Sequence, residues 1–228
     1  MLADGHLVVR ANLRGADPEG RSVGPYHAGL VDDLRTLLTR IERDWPGRQV
    51  IATGFSLGGH LALRLAASSA VPEPLRAVIS VSAPLDLASA VRRIGAARNR
   101  IYERRLVAWL CRQHFAAEGG PGKEIRSLRD FDSRVVVPAH GFHDVDQYYR
   151  SQSVMPALSA LRRPTLALHA EDDPWIPAAD YKAAPWPARG PAWALLISGG
   201  GHVGFHARGL RWPWYIAAMR AFRDAMCT

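Results

Sequence analysis

The stretch Val50-Ile-Ala-Thr-Gly-Phe-Ser-Leu-Gly-Gly59 decides the fold. Its first half is a short apolar run that predicts a buried strand, and Leu61–Ala66 has the composition of a helix. Between them lies Gly54-Phe-Ser56-Leu-Gly58, a Gly-x-Ser-x-Gly pattern. After a strand and before a helix, this pattern predicts a nucleophile elbow, a turn so tight that small residues flank the serine and its hydroxyl projects above the sheet edge. The alternative is that Ser56 is only a turn residue, since glycines around a serine can simply serve a helix entry.

The rest of the chain alternates short apolar runs with amphipathic stretches. This alternation is typical of βα units and predicts a mainly parallel sheet with helices on both faces. The predicted helices are Asp32–Asp44, Gly58–Ser68 and Trp214–Ala225. The predicted strands are Leu7–Leu13, Gln49–Phe55, Leu75–Ser82, Thr165–Ala170 and Ala192–Ser198.

The segment from Asp86 to Arg150 interrupts this alternation. It contains no convincing strand and several helix-like, arginine-rich stretches. An insertion of this length is too long for a plain connection between two strands. We therefore predict an α/β core formed by residues 1–85 and 151–228, and a helical cap formed by residues 86–150.

A serine hydroxyl needs a histidine base and an acid that holds that histidine in the right tautomer. In enzymes that carry a nucleophile elbow on a mainly parallel sheet, the three residues follow along the chain in the order serine, acid, histidine, each after a strand. Asp173 comes just after the strand Thr165–Ala170, and His202 follows the last strand. We expect Ser56, Asp173 and His202 to form a catalytic triad, with the backbone N–H of Leu57 donating to the oxyanion.

Other assignments compete with this triad. Asp172 is an alternative to Asp173, and Asp86, after the preceding strand, is a second alternative for the acid. Two groups have the composition of metal ligands, but the sequence favours neither, and we expect no metal and no cofactor. These groups are His202 with His206, and His140 and His143 with Asp144 and Asp146.

Ordered motifs along nearly the whole chain resemble the YheT-type branch of the α/β-hydrolases, which is related to eukaryotic ABHD-type proteins. The resemblance implies that Ser56 is the nucleophile, Asp173 the acid and His202 the base, and that residues 86–150 are a family insertion near the substrate entrance. The motifs are Asn12-Leu-Arg-Gly15, Tyr26-His-Ala-Gly29, Asp32-Asp33, Gly54–Gly59, Ser82–Leu87, Phe131-Asp132, Gly141-Phe142, Tyr148-Tyr149, His169–Pro174 and Gly200–Phe205.

The same resemblance implies that the front of the fold is missing. Leu7–Leu13 matches the fourth strand of the family, so the first three strands and the His-Gly loop that supplies a second oxyanion donor have no counterpart. The strand leading to Ser56 should then lie exposed at a sheet edge. Either Met1 is a wrongly set start or fragment boundary, which we favour, or the protein is a genuine short form. We expect this exact chain to be poorly active and prone to aggregation.

The function that follows is hydrolysis of short- to medium-chain acyl esters by a serine hydrolase. The alternatives are an acyltransferase that uses an alcohol acceptor, and a non-catalytic remnant or binding protein. The expected partner is a small acyl ester.

The composition of the chain argues against a nucleic-acid partner and against stable membrane insertion. The 228 residues include 29 basic and 21 acidic ones, and all the basic ones except Lys123 and Lys182 are arginines. The arginines are scattered, most densely at Arg92–Arg93, Arg98–Arg105 and Arg162–Arg163, so we expect no nucleic-acid partner. The chain shows no long apolar run, no secretion signal and no cysteine framework, which predicts a cytoplasmic protein without stable membrane insertion.

Overall fold

A parallel sheet of four strands forms the centre of the molecule. The computed structural model describes residues 5–14, 24–115 and 124–226. All neighbouring strands are parallel and follow chain order, β1-β2-β3-β4, so their carboxyl ends meet at one edge of the sheet. The strands are β1 (Val50–Phe55), β2 (Leu75–Val81), β3 (Thr165–Ala170) and β4 (Ala192–Ile197).

Four of the five predicted strands are confirmed, and the prediction of a strand at Leu7–Leu13 is wrong. Residues 5–14 contain no strand, and Leu7 is 62% exposed. An apolar run becomes a strand only where another backbone edge accepts its hydrogen bonds, and no described strand pairs with this one. As expected, β1 lies at the edge of the sheet, with β2 as its one partner among the described strands.

Helices cover both faces of the sheet. One apolar cluster joins α1 (Val31–Asp44) and α2 (Leu57–Ala66) to residues such as Val78, and another joins α9 (Trp214–Met226) to Ile79 and Val81. Successive strand residues point to opposite faces, so β2 contributes to both clusters. The predicted helices are confirmed with boundaries shifted by one or two residues. They are α1 (Val31–Asp44), α2 (Leu57–Ala66) and α9 (Trp214–Met226); α8 (Ala178–Ala183) was not predicted.

The described part of the chain between β2 and β3 consists of helices joined by turns and loops, and it contains no strand. Its helices pack around a separate apolar cluster that includes Val107, Phe131 and Tyr149. A single turn of π-helix, Asp132–Val136, interrupts the series, and 3-10 turns precede and follow it at Ala97–Asn99 and Met155–Ala160. The α-helices are α3 (Leu87–Ile94), α4 (Arg100–Phe115), α5 (Leu128–Phe131), α6 (Val137–His140) and α7 (Val145–Gln152).

The pair of cysteines and the first of the quoted motifs, Asn12-Leu-Arg-Gly15, are each described only in part. Cys111 is a buried free thiol, whereas Cys227 and Gly15, the last residue of the first motif, lie outside the described residues. Across residues 5–14, 24–115 and 124–226, no helix combines the length and apolar character that crossing a bilayer requires.

Candidate active site

Ser56 lies at the junction of β1 and α2 in a backbone conformation that few side chains adopt. Its φ is 51° and its ψ is −122°. The backbone N–H of Ser56 donates to the Val81 carbonyl at 2.8 Å, and its carbonyl accepts from the His60 N–H at 3.1 Å. A non-glycine residue held at positive φ is uncommon and marks places where the surrounding structure imposes the conformation, often functional sites.

The glycines around Ser56 differ in how far sterics require them. A Cβ on Gly54 would overlap the backbone of Gly58 and Gly59, and one on Gly59 would lie 2.7 Å from Ser80 Oγ. Gly58 has open space in the direction of a Cβ. The close crossing of β1 and α2 therefore requires glycine at positions 54 and 59, whereas Gly58, the second glycine of the pattern, could carry a Cβ.

Leu57 is the first residue of α2. Its backbone N–H belongs to the first turn, where amide groups have no partner within the helix, and the helix dipole adds partial positive charge there. This N–H is thus available next to the serine hydroxyl.

Asp173 and His202 are in direct contact. His202 Nδ1 and Asp173 Oδ2 are 2.8 Å apart, and the Asp173 carboxylate is buried. Asp173 Oδ1 accepts the backbone N–H groups of Trp175 and Ile176 at 2.8 and 3.0 Å. Three hydrogen bonds therefore fix the carboxylate, and the contact fits a neutral His202 with its proton on Nδ1, a tautomer in which Nε2 can accept a proton.

The two alternative acids have other partners. Asp172 Oδ1 accepts the backbone N–H groups of Gly200 and Gly201 at 2.9 and 2.8 Å, which anchors the loop that carries His202. Asp86 caps α3 and accepts the Ser89 N–H at 2.9 Å. Neither makes a hydrogen bond to His202 in the described structure.

Ser56 shares the carboxyl edge of the sheet with this pair. It follows β1, Asp173 follows β3, and His202 follows β4. No hydrogen bond among the described residues joins the Ser56 hydroxyl to His202.

A stacked pair of aromatic residues that the sequence did not single out lies beside the histidine. The Trp175 ring lies 4.6 Å from the His202 ring and is stacked at 3.7 Å on Tyr102 of α4. A second histidine, the buried His169, lies near the same carboxylate. Its Nδ1 is 3.8 Å from Asp173 Oδ2, and its ring stacks on the Tyr181 ring at 4.0 Å. Burial lowers the pKa of His169 to about 4, so this imidazole is neutral beside the carboxylate at pH 7.

The residues considered as metal ligands have ordinary contacts. His140 Nε2 donates to the Pro25 carbonyl at 2.9 Å, and His143 Nδ1 lies 3.0 Å from Asp144, which caps α7. Throughout the described ranges, no three side chains of the metal-binding types come together as a potential ligand set.

Comparisons with known proteins agree on the family. The family model described as "Alpha/beta hydrolase family" matches residues 1–211. YheT of Escherichia coli (strain K12), named as an esterase, is 33% identical over 214 residues, which are 88% of this chain and 62% of that protein. The monoacylglycerol lipase of Saccharomyces cerevisiae is 28% identical over 216 residues, 86% of this chain and 47% of the relative.

A human relative and a solved structure extend this agreement. Phospholipase ABHD3 of Homo sapiens is 25% identical over 211 residues, 88% of this chain and 52% of the relative. This chain therefore spans about half to three fifths of the length of the curated relatives it matches. A solved esterase of Pyrococcus furiosus superposes with a TM-score of 0.54 at 12% identity, covering 91% of this chain and 65% of that one, which shows a shared fold.

Proposed function

We propose that this chain, which belongs to the alpha/beta hydrolase family, carries the acyl-transfer centre of a carboxylic ester hydrolase. The relatives are named as an esterase and as lipases, which supports hydrolysis of an ester bond. The observation that carries the proposal is the 2.8 Å contact between His202 Nδ1 and the buried Asp173, at the sheet edge where the strained Ser56 follows β1.

In the proposed mechanism, His202 Nε2 takes the proton of Ser56 as the serine oxygen attacks the ester carbonyl. Asp173 stabilises the resulting imidazolium, and the Leu57 N–H donates to the oxyanion of the tetrahedral intermediate. The intermediate collapses to an acyl-enzyme as the C–O bond to the alcohol breaks, and the imidazolium returns its proton to the leaving alcohol. Water then attacks the acyl-enzyme with His202 as the base, and the acid product and free Ser56 are regenerated.

We further propose short- to medium-chain acyl esters as substrates. The Trp175 and Tyr102 rings beside His202 offer an apolar surface at the site, and such surfaces bind acyl groups in ester hydrolases with a few polar groups fixing the orientation.

Labelling with a fluorophosphonate probe tests the proposal. The probe reacts with an activated serine and reports the nucleophile even where turnover is slow. We expect a probe adduct on Ser56 in the full chain, none in Ser56→Ala, and unchanged labelling in Ser151→Ala, an exposed serine at the end of α7. Labelling that survives in Ser56→Ala would assign the reactive nucleophile to another residue, and absence of labelling from the folded wild-type chain would support a non-catalytic protein instead.

A further inference from the structure

One face of α4 combines arginines with exposed apolar side chains. Ile101, Arg105, Ala108, Trp109 and Arg112 are spaced as residues on one side of a helix and are all exposed. Ile101 is 71% exposed and Trp109 is 38% exposed, although both are large apolar residues. We call these five residues the outer face of α4.

The opposite side of α4 accounts for the packing of this helix. Glu103, Val107 and Cys111 are buried there, and Glu103 Oε1 accepts the Leu128 N–H at 3.1 Å. The outer face is therefore not needed to hold the helix against the rest of the protein.

The positive charge on this helix is not compensated within the described residues. Arg100, Arg104, Arg105 and Arg112 are exposed and form no ion pair there, and the single acidic residue of the helix, Glu103, is buried on the other side. The exposed arginines of α1 behave differently: Arg40 and Arg43, for example, both pair with Asp44, at 3.3 and 2.9 Å. The exposed side of α4 therefore carries a net positive charge, which would attract an anionic partner.

The outer face adjoins the candidate active site. Just before α4, the Asn99 side chain donates to the Pro174 carbonyl at 2.8 Å, next to the acid Asp173. Tyr102, the neighbour of Ile101, stacks on Trp175, and Trp175 contacts the His202 ring. A surface that binds α4 would thus lie close to the candidate catalytic residues.

We propose that the outer face of α4 binds an anionic lipid surface. Arginines provide attraction to lipid phosphate and carboxylate groups, while exposed Ile101 and Trp109 enter the boundary between headgroups and acyl chains. The aliphatic side chain of Ile101 favours lipid over nucleic acid, because a nucleic acid offers no hydrocarbon layer in which to bury it. The resulting orientation of His202 toward the lipid rests on the proposed function, but the binding itself does not.

Vesicle flotation separates bound protein from aggregates, because vesicles rise in a density gradient and aggregates sink. We expect the full chain to float with vesicles containing about 30% phosphatidylserine and not with pure phosphatidylcholine at about 0.1 M salt. The double variant Arg105→Glu, Arg112→Glu should lose affinity for these vesicles by a factor of about ten or more. Arg40→Glu, Arg43→Glu makes the same charge change on α1 and should bind nearly as the wild type does.

Two further variants make the outcome specific. Ile101→Ser, with no change in charge, should weaken vesicle binding severalfold, because the apolar contribution is lost. Ser56→Ala should float as the wild type does, which keeps this inference independent of catalysis. Absence of anionic-vesicle binding, or equal losses in the α1 and α4 double variants, overturns the proposal. Salt-sensitive DNA binding that is lost in the α4 variant but unaffected by Ile101→Ser would identify a nucleic-acid partner instead.

Discussion

At the scale of single residues, the two neighbouring carboxylates Asp172 and Asp173 have different tasks. Asp173 is buried and contacts His202 Nδ1, whereas Asp172 holds the backbone of Gly200 and Gly201. In sequence they are adjacent, and both follow the end of β3 within a few residues. The difference arises because the chain turns directly after β3, where the Asp173 N–H donates to the Ala170 carbonyl at 3.2 Å, so the two neighbouring side chains reach different partners.

Replacing each carboxylate by its amide separates these roles. Asp173→Asn should slow fluorophosphonate labelling of Ser56 about a thousandfold or more, because the amide cannot hold the Nδ1–H tautomer or stabilise the imidazolium. Asp172→Asn keeps an oxygen acceptor for the two glycine N–H groups and should slow labelling by about tenfold or less. The second-order labelling rate constants measure both effects. A larger effect of Asp172→Asn would assign the acid role to Asp172.

At the scale of elements, the crossing of β1 and α2 determines where the candidate nucleophile lies. The strand and helix were both predictable, because a β-branched apolar run and a helical pattern flank the serine motif. Which of the glycines are required by sterics was not predictable, because this depends on how closely the two backbones approach. Gly54 and Gly59 are at the contact, and Gly58 faces open space.

Two alanine substitutions test this crossing. Gly54→Ala should lower the free energy of unfolding by about 1–3 kcal/mol or more, because its Cβ overlaps the backbone of α2. Gly58→Ala has room and gains helix propensity, so its free energy of unfolding should stay within about 1 kcal/mol of the wild-type value. Urea unfolding of both variants, followed by circular dichroism, provides the comparison. Equal destabilisation by the two would mean that the motif is required for reasons other than this close approach.

At the scale of the whole molecule, buried ionisable groups link stability to pH in two opposite directions. Burial lowers the pKa of His60 and of His169 to about 4, from an ordinary value of 6.5. Their stabilising contribution is present above pH 6.5 and is lost as the pH falls through about 4. Burial raises the pKa of Asp132 to about 7, against the Tyr149 hydrogen bond and the charge of Arg129 that lower it. The Asp132 contribution is present below pH 3.8 and is lost as the pH rises through about 7.

The variant Asp132→Asn removes the contribution of Asp132 to the pH dependence of the free energy of unfolding. The free energy of unfolding of the variant should therefore fall more steeply than that of the wild type between pH 7 and pH 4, since only the histidine contribution remains. An amide can still accept the Tyr149 hydroxyl, which donates to Asp132 at 2.7 Å. Urea unfolding at several pH values measures the slopes. A variant whose stability falls less steeply with acid than that of the wild type would show that Asp132 is ionised in the folded protein near pH 5.

The sequence by itself determined the fold class and the order of the candidate site residues. Apolar periodicity, the glycine-flanked serine and the residues after later strands are local signals, and parallel strands bring such residues to one edge of the sheet. The tertiary structure alone decided which carboxylate meets His202, that Trp175 packs against it with Tyr102 stacked on Trp175, and that Leu7–Leu13 forms no strand. These outcomes depend on distances between segments far apart in the chain, and a strand in particular exists only where a second backbone is present to pair with it.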